Sequence, residues 1–325
     1  MRGFNPARLA AAVAIAFGAL MPSAGAQTYP DRAVKIIVPT APGGSIDTTA
    51  RVVAERMQAK WGKPVVIENR PGAAMRIGTE AVQKSAPDGY TLLVAHDGTM
   101  AINPVAFADL PYDPQKDFTP LGLVVTIPEA VMVNVAVPAN SIAELIALAK
   151  KEPGKLTHAS GGSATLLALE LFKAMAGIDI RSIPYRGGAP AVTAAIAGET
   201  SMIIADLTTA NAALQSDRIR PLAITSMQRS PKYPNLAPLH ELGVPGYEVN
   251  TWIAFFAPAG VPKDVAAKIE EAIKEAVGTA EVRKRFEATG MTVRSGTAEE
   301  LRKLLATDVD KWAKLVKEKN IKIAQ

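Results

Sequence analysis

Cysteine is absent from the 325 residues. That excludes disulfides, thiolate metal ligands, thiol nucleophiles and a lipid-anchored N-terminal cysteine. Histidine is nearly as scarce. His96, His158 and His240 lie far apart and match no metal-ligand spacing, so no metal and no other cofactor is expected. Aromatics make up 5% of the chain, and no Lys/Arg cluster is interleaved with them, which sets nucleic acid aside as a partner. The G-x-S-x-G, G-x-x-x-x-G-K-[ST], G-x-G-x-x-G and H-E-x-x-H signatures are all missing. An enzyme is therefore the poorer reading.

Long apolar runs are missing as well, save one. Leu9 to Met21 (LAAAVAIAFGALM) is too short to span a bilayer, follows Arg2 and Arg8, and precedes Ala24-Gly25-Ala26. Those are the three parts of a signal peptide, residues 1–26, with cleavage expected before Gln27 and a soluble periplasmic product. Cleavage lowers the formal charge from +5 to +3. That mildly basic balance suits a small anionic ligand.

What remains is a globular composition, 48% apolar and 21% charged, on a chain long enough for two domains. Short β-branched runs alternate with helical patterns. Val34–Val38, Pro64–Ile67 and Thr91–Ala95 read as strands; Ile46–Lys60 and Gly78–Ser85 read as helices. Further strands are expected at Ala130–Val137, Ser182–Ile183, Ser201–Ala205, Pro221–Thr225 and Trp252–Ala257. Further helices fit Ser141–Lys151, Thr165–Ala176, Ala189–Ala197, Lys263–Val277, Glu281–Thr289 and Ala298–Lys319. Such alternation predicts an α/β fold, parallel-rich, with helices on both sheet faces.

In such sheets ligands sit at the carboxyl ends of strands. Five small-residue loops occupy those positions: Ala41–Ser45, Glu68–Arg76, His96–Thr99, Ala159–Ser163 and Asp206–Thr209. Their bland reading is turn punctuation, with acids such as Asp47 soothing a helix dipole. Their functional reading is an anion held on free N–H groups. Ser160 or Ser163 would be a nucleophile only with a base, and His158 is the one histidine nearby; a binding or capping hydroxyl is the simpler role. Asp97 and Asp206 form an acid pair only if the fold brings them together.

The segments YPDRAVKIIVPTAPGGSIDTTARVVAERM, VVIENRPGAA, IGTEAVQKSAPDGYTLLVA, LPYDPQKDFTPLGLV, ELFKAMAGIDIRSIPYRGGAPAVTAAIAGE, RPLAITSMQRSPKYP and WIAFFAPAGVPKDV resemble the tripartite tricarboxylate transporter substrate-binding proteins, also called the Bug or TctC family. The likeness runs from Tyr29 nearly to the C-terminus. It implies a two-lobed type II periplasmic-binding-protein fold, with lobe one formed by residues 27–125 plus 227–325 and lobe two by 126–226. It also implies a monomeric receptor that closes on a small carboxylate and serves membrane permease subunits, with signalling to a sensor protein, or an enzyme on the same fold, as alternatives. By resemblance the carboxylate is gripped at Gly43, Gly44 and Asp47 and at Gly72, Ala73 and Ala74. The other strand-end loops add Thr99, Ser160, Gly161, Ser163 and Asp206. The second loop departs from the family pattern Gly-Ala-Gly-Gly-Asn-Ile-Gly, reading Gly72-Ala73-Ala74-Met75-Arg76-Ile77-Gly78. The lobe-two loop is shortened, and Leu166 replaces a frequent histidine. Arg76 beside Met75 therefore points to a di- or aromatic carboxylate.

Overall fold

The computed structural model describes residues 29–185 and 187–321. The expected signal peptide, residues 1–26, lies outside them. The chain runs β1 (Val34–Val38), α1 (Ser45–Trp61), β2 (Val65–Asn69), a single 3-10 turn (Ala73–Met75), α2 (Arg76–Gln83), β3 (Thr91–His96), a π-turn (Gly98–Ile102) and α3 (Asn103–Ala106). The long strand β4 (Phe118–Asn134) leads to α4 (Ile142–Lys151), β5 (Thr157–Ser160), α5 (Ser163–Ala176), β6 (Arg181–Pro184), α6 (Gly188–Ala197), β7 (Met202–Asp206), α7 (Asn211–Leu214) and β8 (Ile219–Ile224). The chain closes with β9 (Asn250–Pro258), α8 (Lys263–Gly278), α9 (Ala280–Glu287), β10 (Thr292–Gly296) and α10 (Ala298–Lys319).

The strands read as unbroken apolar runs because both of their faces are covered. Successive strand residues point to opposite sides, and Ile36 and Ile37, Leu92 and Leu93, and Ile203 and Ile204 each divide between two buried layers. Alternating polar residues have no place in such a sheet.

One ten-stranded mixed sheet results, with the path β2-β1-β3-β9-β4-β7-β5-β6 and with β8 and β10 also paired to β4. The expected parallel pairing holds at both ends, β2-β1-β3 and β7-β5-β6. The middle is antiparallel. From Phe118 to Pro128, β4 pairs with β9, and from Glu129 onward with β7 and β8. The strand expected at Ala130–Val137 is thus the last part of a longer one, and it stops at Asn134. β10 was not legible: Val293 is followed by Arg294 and Ser295, which read as a loop. The segment between β8 and β9 lies against α5, where the buried Tyr247 hydroxyl donates to Ala168 O at 2.9 Å.

Candidate functional site

A cavity of about 750 Å³ opens where the carboxyl ends of β1, β2, β3, β5, β6 and β7 face one another. All five loops singled out in the sequence contribute to its wall. Gly44 and Ser45, Ala74 and Met75, His96 and Gly98, Ser160 to Ser163, and Asp206 and Thr209 all line it. A sixth contribution, Tyr185 ahead of α6 and Gly188 at its start, was missed: a strand was expected at Ser182–Ile183, but the loop after it was not counted with the other five.

Of the helices that begin at this cavity, α2 and α3 start after Met75 and Ile102, while three others begin with glycine. Gly44, Gly162 and Gly187 are the N-caps of α1, α5 and α6, and none receives a side-chain capping bond. Away from the cavity, α4, α9 and α10 are capped by the side chains of Ser141, Thr279 and Thr297. The first N–H groups of a helix have no partner within it and carry the positive end of its dipole. The amides of Ser45 and Ile46 and of Ser163 and Ala164 therefore present donors at the cavity wall, which is what an anion requires. Gly161 is held to glycine for another reason: a Cβ there would lie 2.7 Å from Gly188 Cα.

The first loop is pinned from inside. Buried Asp47 accepts from Gly43 N at 2.9 Å, from Arg51 Nε at 2.9 Å and from Asn69 Nδ2 at 2.9 Å. Burial alone would raise the Asp47 pKa. Hydrogen bonds from Arg51, Gly43 and Asn69 outweigh it and hold the carboxyl below its ordinary value. Asp47 is spent on the loop, and so is the Gly43 N–H expected to bind the ligand. Gly44 is the glycine that reaches the cavity.

The second loop is strained. Ala73, Ala74 and Met75 have φ of 46°, 53° and 70°, three successive left-handed residues with side chains. Such residues cost roughly 1–2 kcal/mol each. Buried Asn103 holds the Ala74 carbonyl at 3.0 Å, and Thr79 Oγ1 donates to Met75 O at 2.9 Å. Gly72 and Ala73 stand behind this wall and do not line the cavity, whereas Ala74 does. Arg76 turns away: its guanidinium lies 4.6 Å from the Phe107 ring centroid and 3.5 Å from Asp109. It backs Phe107, which does line the cavity.

The floor is made of titratable groups that sequence reasoning left unconnected. His96 is half-buried, and Nδ1 accepts the Thr99 N–H at 3.1 Å, so the neutral ring carries its proton on Nε2. Burial depresses its pKa, which keeps it neutral near pH 7. Thr99 itself is wholly buried behind it. Asp206 Oδ1 is bonded by the N–H groups of Thr208 and Thr209, both at 3.0 Å. Glu129, 2% exposed, stands opposite Asp206 in the β4–β7 ladder and lines the cavity. Burial, with the charges of Asp97 and Asp206, holds its carboxyl well above the ordinary range, against a smaller pull from Lys311. Its signal was legible as an acid in the apolar run TIPEAVMV. No Ser–His pair forms. His158 Nε2 accepts from Ile204 N at 3.1 Å, while the Ser160 hydroxyl donates to Gly162 O at 3.1 Å.

Residues 49–321 match the model of the tripartite tricarboxylate transporter family receptor. The chain belongs to that family. Bordetella pertussis protein BugT is 35% identical over 324 residues, spanning 98% of this chain and 99% of BugT. Among solved structures, an R. palustris protein with adipate is 31% identical at a TM-score of 0.79, covering 89% of this chain and 97% of that one. MatC from Rhodopseudomonas palustris with bound malate is 30% identical at a TM-score of 0.76, covering 89% of this chain and all 100% of MatC. The receptor thus has the α/β fold of periplasmic solute-binding proteins, and its family is one of binding proteins rather than enzymes. No helix among the described residues is long and apolar enough to cross a membrane.

Proposed function

We propose that the receptor captures a small dicarboxylate in this cavity. The observation that carries the reading is the convergence of three glycine-capped helix N-termini on one cavity, while α4, α9 and α10, away from it, have side-chain caps. One carboxylate is held by the amides of Ser45 and Ile46 from α1, and the facing amides of Ser163 and Ala164 close on the ligand from the other half of the sheet. Gly44, Ala74, Ser160, Gly161, Ser163 and Asp206 belong to the wall; Gly43, Asp47, Gly72, Ala73, Thr99 and Arg76 position it. The two halves act as lobes, with β4 and the entry to β9 as the connections between them. Similarity to the adipate- and malate-bound proteins supports the diacid class.

Export through residues 1–26 and delivery of the ligand to a tripartite permease complete the reading. Thermal-shift measurement of the chain from Gln27 onward, against adipate, malate and monocarboxylates of matched length, tests it. Stabilisation by a diacid above its monoacid is expected. Equal stabilisation by both, or none by any, overturns it.

A further inference from the structure

Two polar atoms of cavity-lining residues are sealed from solvent and have no hydrogen-bond partner: Glu129 Oε2 and Thr40 Oγ1. A buried polar group left unpaired costs about 1–3 kcal/mol, so an unpaired oxygen on a cavity wall marks where a partner is required. For Glu129 the backbone leaves no freedom to turn away. Its N–H donates to Thr225 Oγ1 at 2.7 Å and its carbonyl accepts from Thr225 N at 2.9 Å, which fixes it at the centre of the sheet.

The surroundings decide which partner. Asp206 on β7 and Asp97 after β3 both add negative potential at Glu129, and Asp308 on α10 adds to that at Asp97. Lys311 on α10 opposes them, but it is paired with Asp308 at 2.7 Å. Buried Tyr247 approaches from the segment before β9 and brings no charge, and His96 on β3 is neutral. An ionised carboxylate in that company is opposed first by burial and by Asp206, and by Asp97 once it ionises, burial having pushed the Asp97 carboxyl up to about 8. A carboxylic acid is favoured, and a carboxylic acid has one O–H to give.

We propose that Glu129 meets the ligand as a hydrogen-bond donor, its O–H directed at the second carboxylate of a diacid whose first carboxylate rests on the α1 N-terminus. The proposal rests on the carboxylate-receptor reading and adds to it the residue that selects two carboxylates over one. A carboxylate brought against Glu129 also strengthens the grip of its proton, so binding is supported in acid and lost as Glu129 ionises.

Two measurements test this separately. The first needs no ligand: the infrared difference spectrum of wild type against Glu129→Gln near pH 7. A carbonyl band of a protonated carboxylic acid, present only in wild type, is expected; its absence overturns the proposal and leaves the receptor reading standing. The second titrates adipate, and the ω-amino acid of the same chain length, from about pH 6 upward to the pH at which the wild-type acid band is lost. Wild-type affinity for adipate should fall at least about tenfold over that span, the cost of one charge-assisted bond. Glu129→Gln keeps a donor, so it should bind within a few-fold of wild type at the acid end and show no such fall. Tighter binding of the amino acid, or the same pH profile in both proteins, overturns the proposal. An acid band without binding of any carboxylate overturns the receptor reading, and the ligand contact with it.

Discussion

Asp47 accepts the N–H of Gly43, four residues earlier, at 2.9 Å, and with the same oxygen takes the Arg51 Nε–H. An acid at a helix start is therefore a clamp on the loop before it, and the ligand's negative charge does not face it. Asp47→Ala should release Gly43 and lower stability by about 1.5–3 kcal/mol, toward the lower figure because Arg51 is half open to water. The sign with pH follows from its depressed pKa. The stabilisation is complete above the unfolded value of about 3.9 and disappears as pH falls through the lower folded value. Denaturant titrations of wild type and variant at neutral and acid pH should converge in acid.

At Gly44 the backbone is ordinary, with φ −77°, and a Cβ would meet nothing within 4 Å. Gly44→Val should fold normally yet place its methyls before the amides of Ser45 and Ile46. Loss of one charge-assisted bond of about 1.5–3 kcal/mol predicts at least tenfold weaker carboxylate binding. Calorimetric titration beside an unchanged melting temperature checks both halves.

Left-handed backbone at Ala74 has no compensation from its methyl group. Replacing it with glycine relieves steric strain of roughly 1–2 kcal/mol while adding unfolded-chain entropy of about 0.4–1 kcal/mol. Ala74→Gly should therefore raise stability by up to about 1.6 kcal/mol, read as a higher melting temperature.

Arg76 stacks on Phe107. Arg76→Ala should loosen that wall and weaken a diacid and its monoacid analogue by the same factor. A larger loss for the diacid would mean that the guanidinium swings inward to pair with a carboxylate.

Most of the scaffold was legible because burial on both sheet faces writes itself as apolar runs, and helix ends write themselves as glycine. The loops could be found from the same logic. What a loop residue does with its backbone could not. Gly43 and Gly44 are identical letters, yet one amide is spent on Asp47 while the other residue faces the cavity. Glu129 was passed over because its importance comes from Asp97 and Asp206, residues distant in sequence that only the sheet brings near. Arg76 was expected to border the cleft, but it does not line the cavity, and its partner Phe107 lies 31 positions on, in a turn that no periodicity announces.

β4 has a mechanical consequence. Its 17 residues extend over about 55 Å at the usual rise, crossing from one half of the sheet to the other through register shifts at Pro120/Gly122, Leu123/Val125 and Val131/Met132. Such shifts add local bend and twist to a strand, so on the two-lobe proposal rotation of one half against the other would have its axis near β4. Points on an axis hardly travel. Glu129 sits there, while Phe107 and the α5 N-terminus stand off it and sweep through the larger arc. On that proposal the floor of the cleft would keep one geometry through every degree of opening, and the rim alone would register closure.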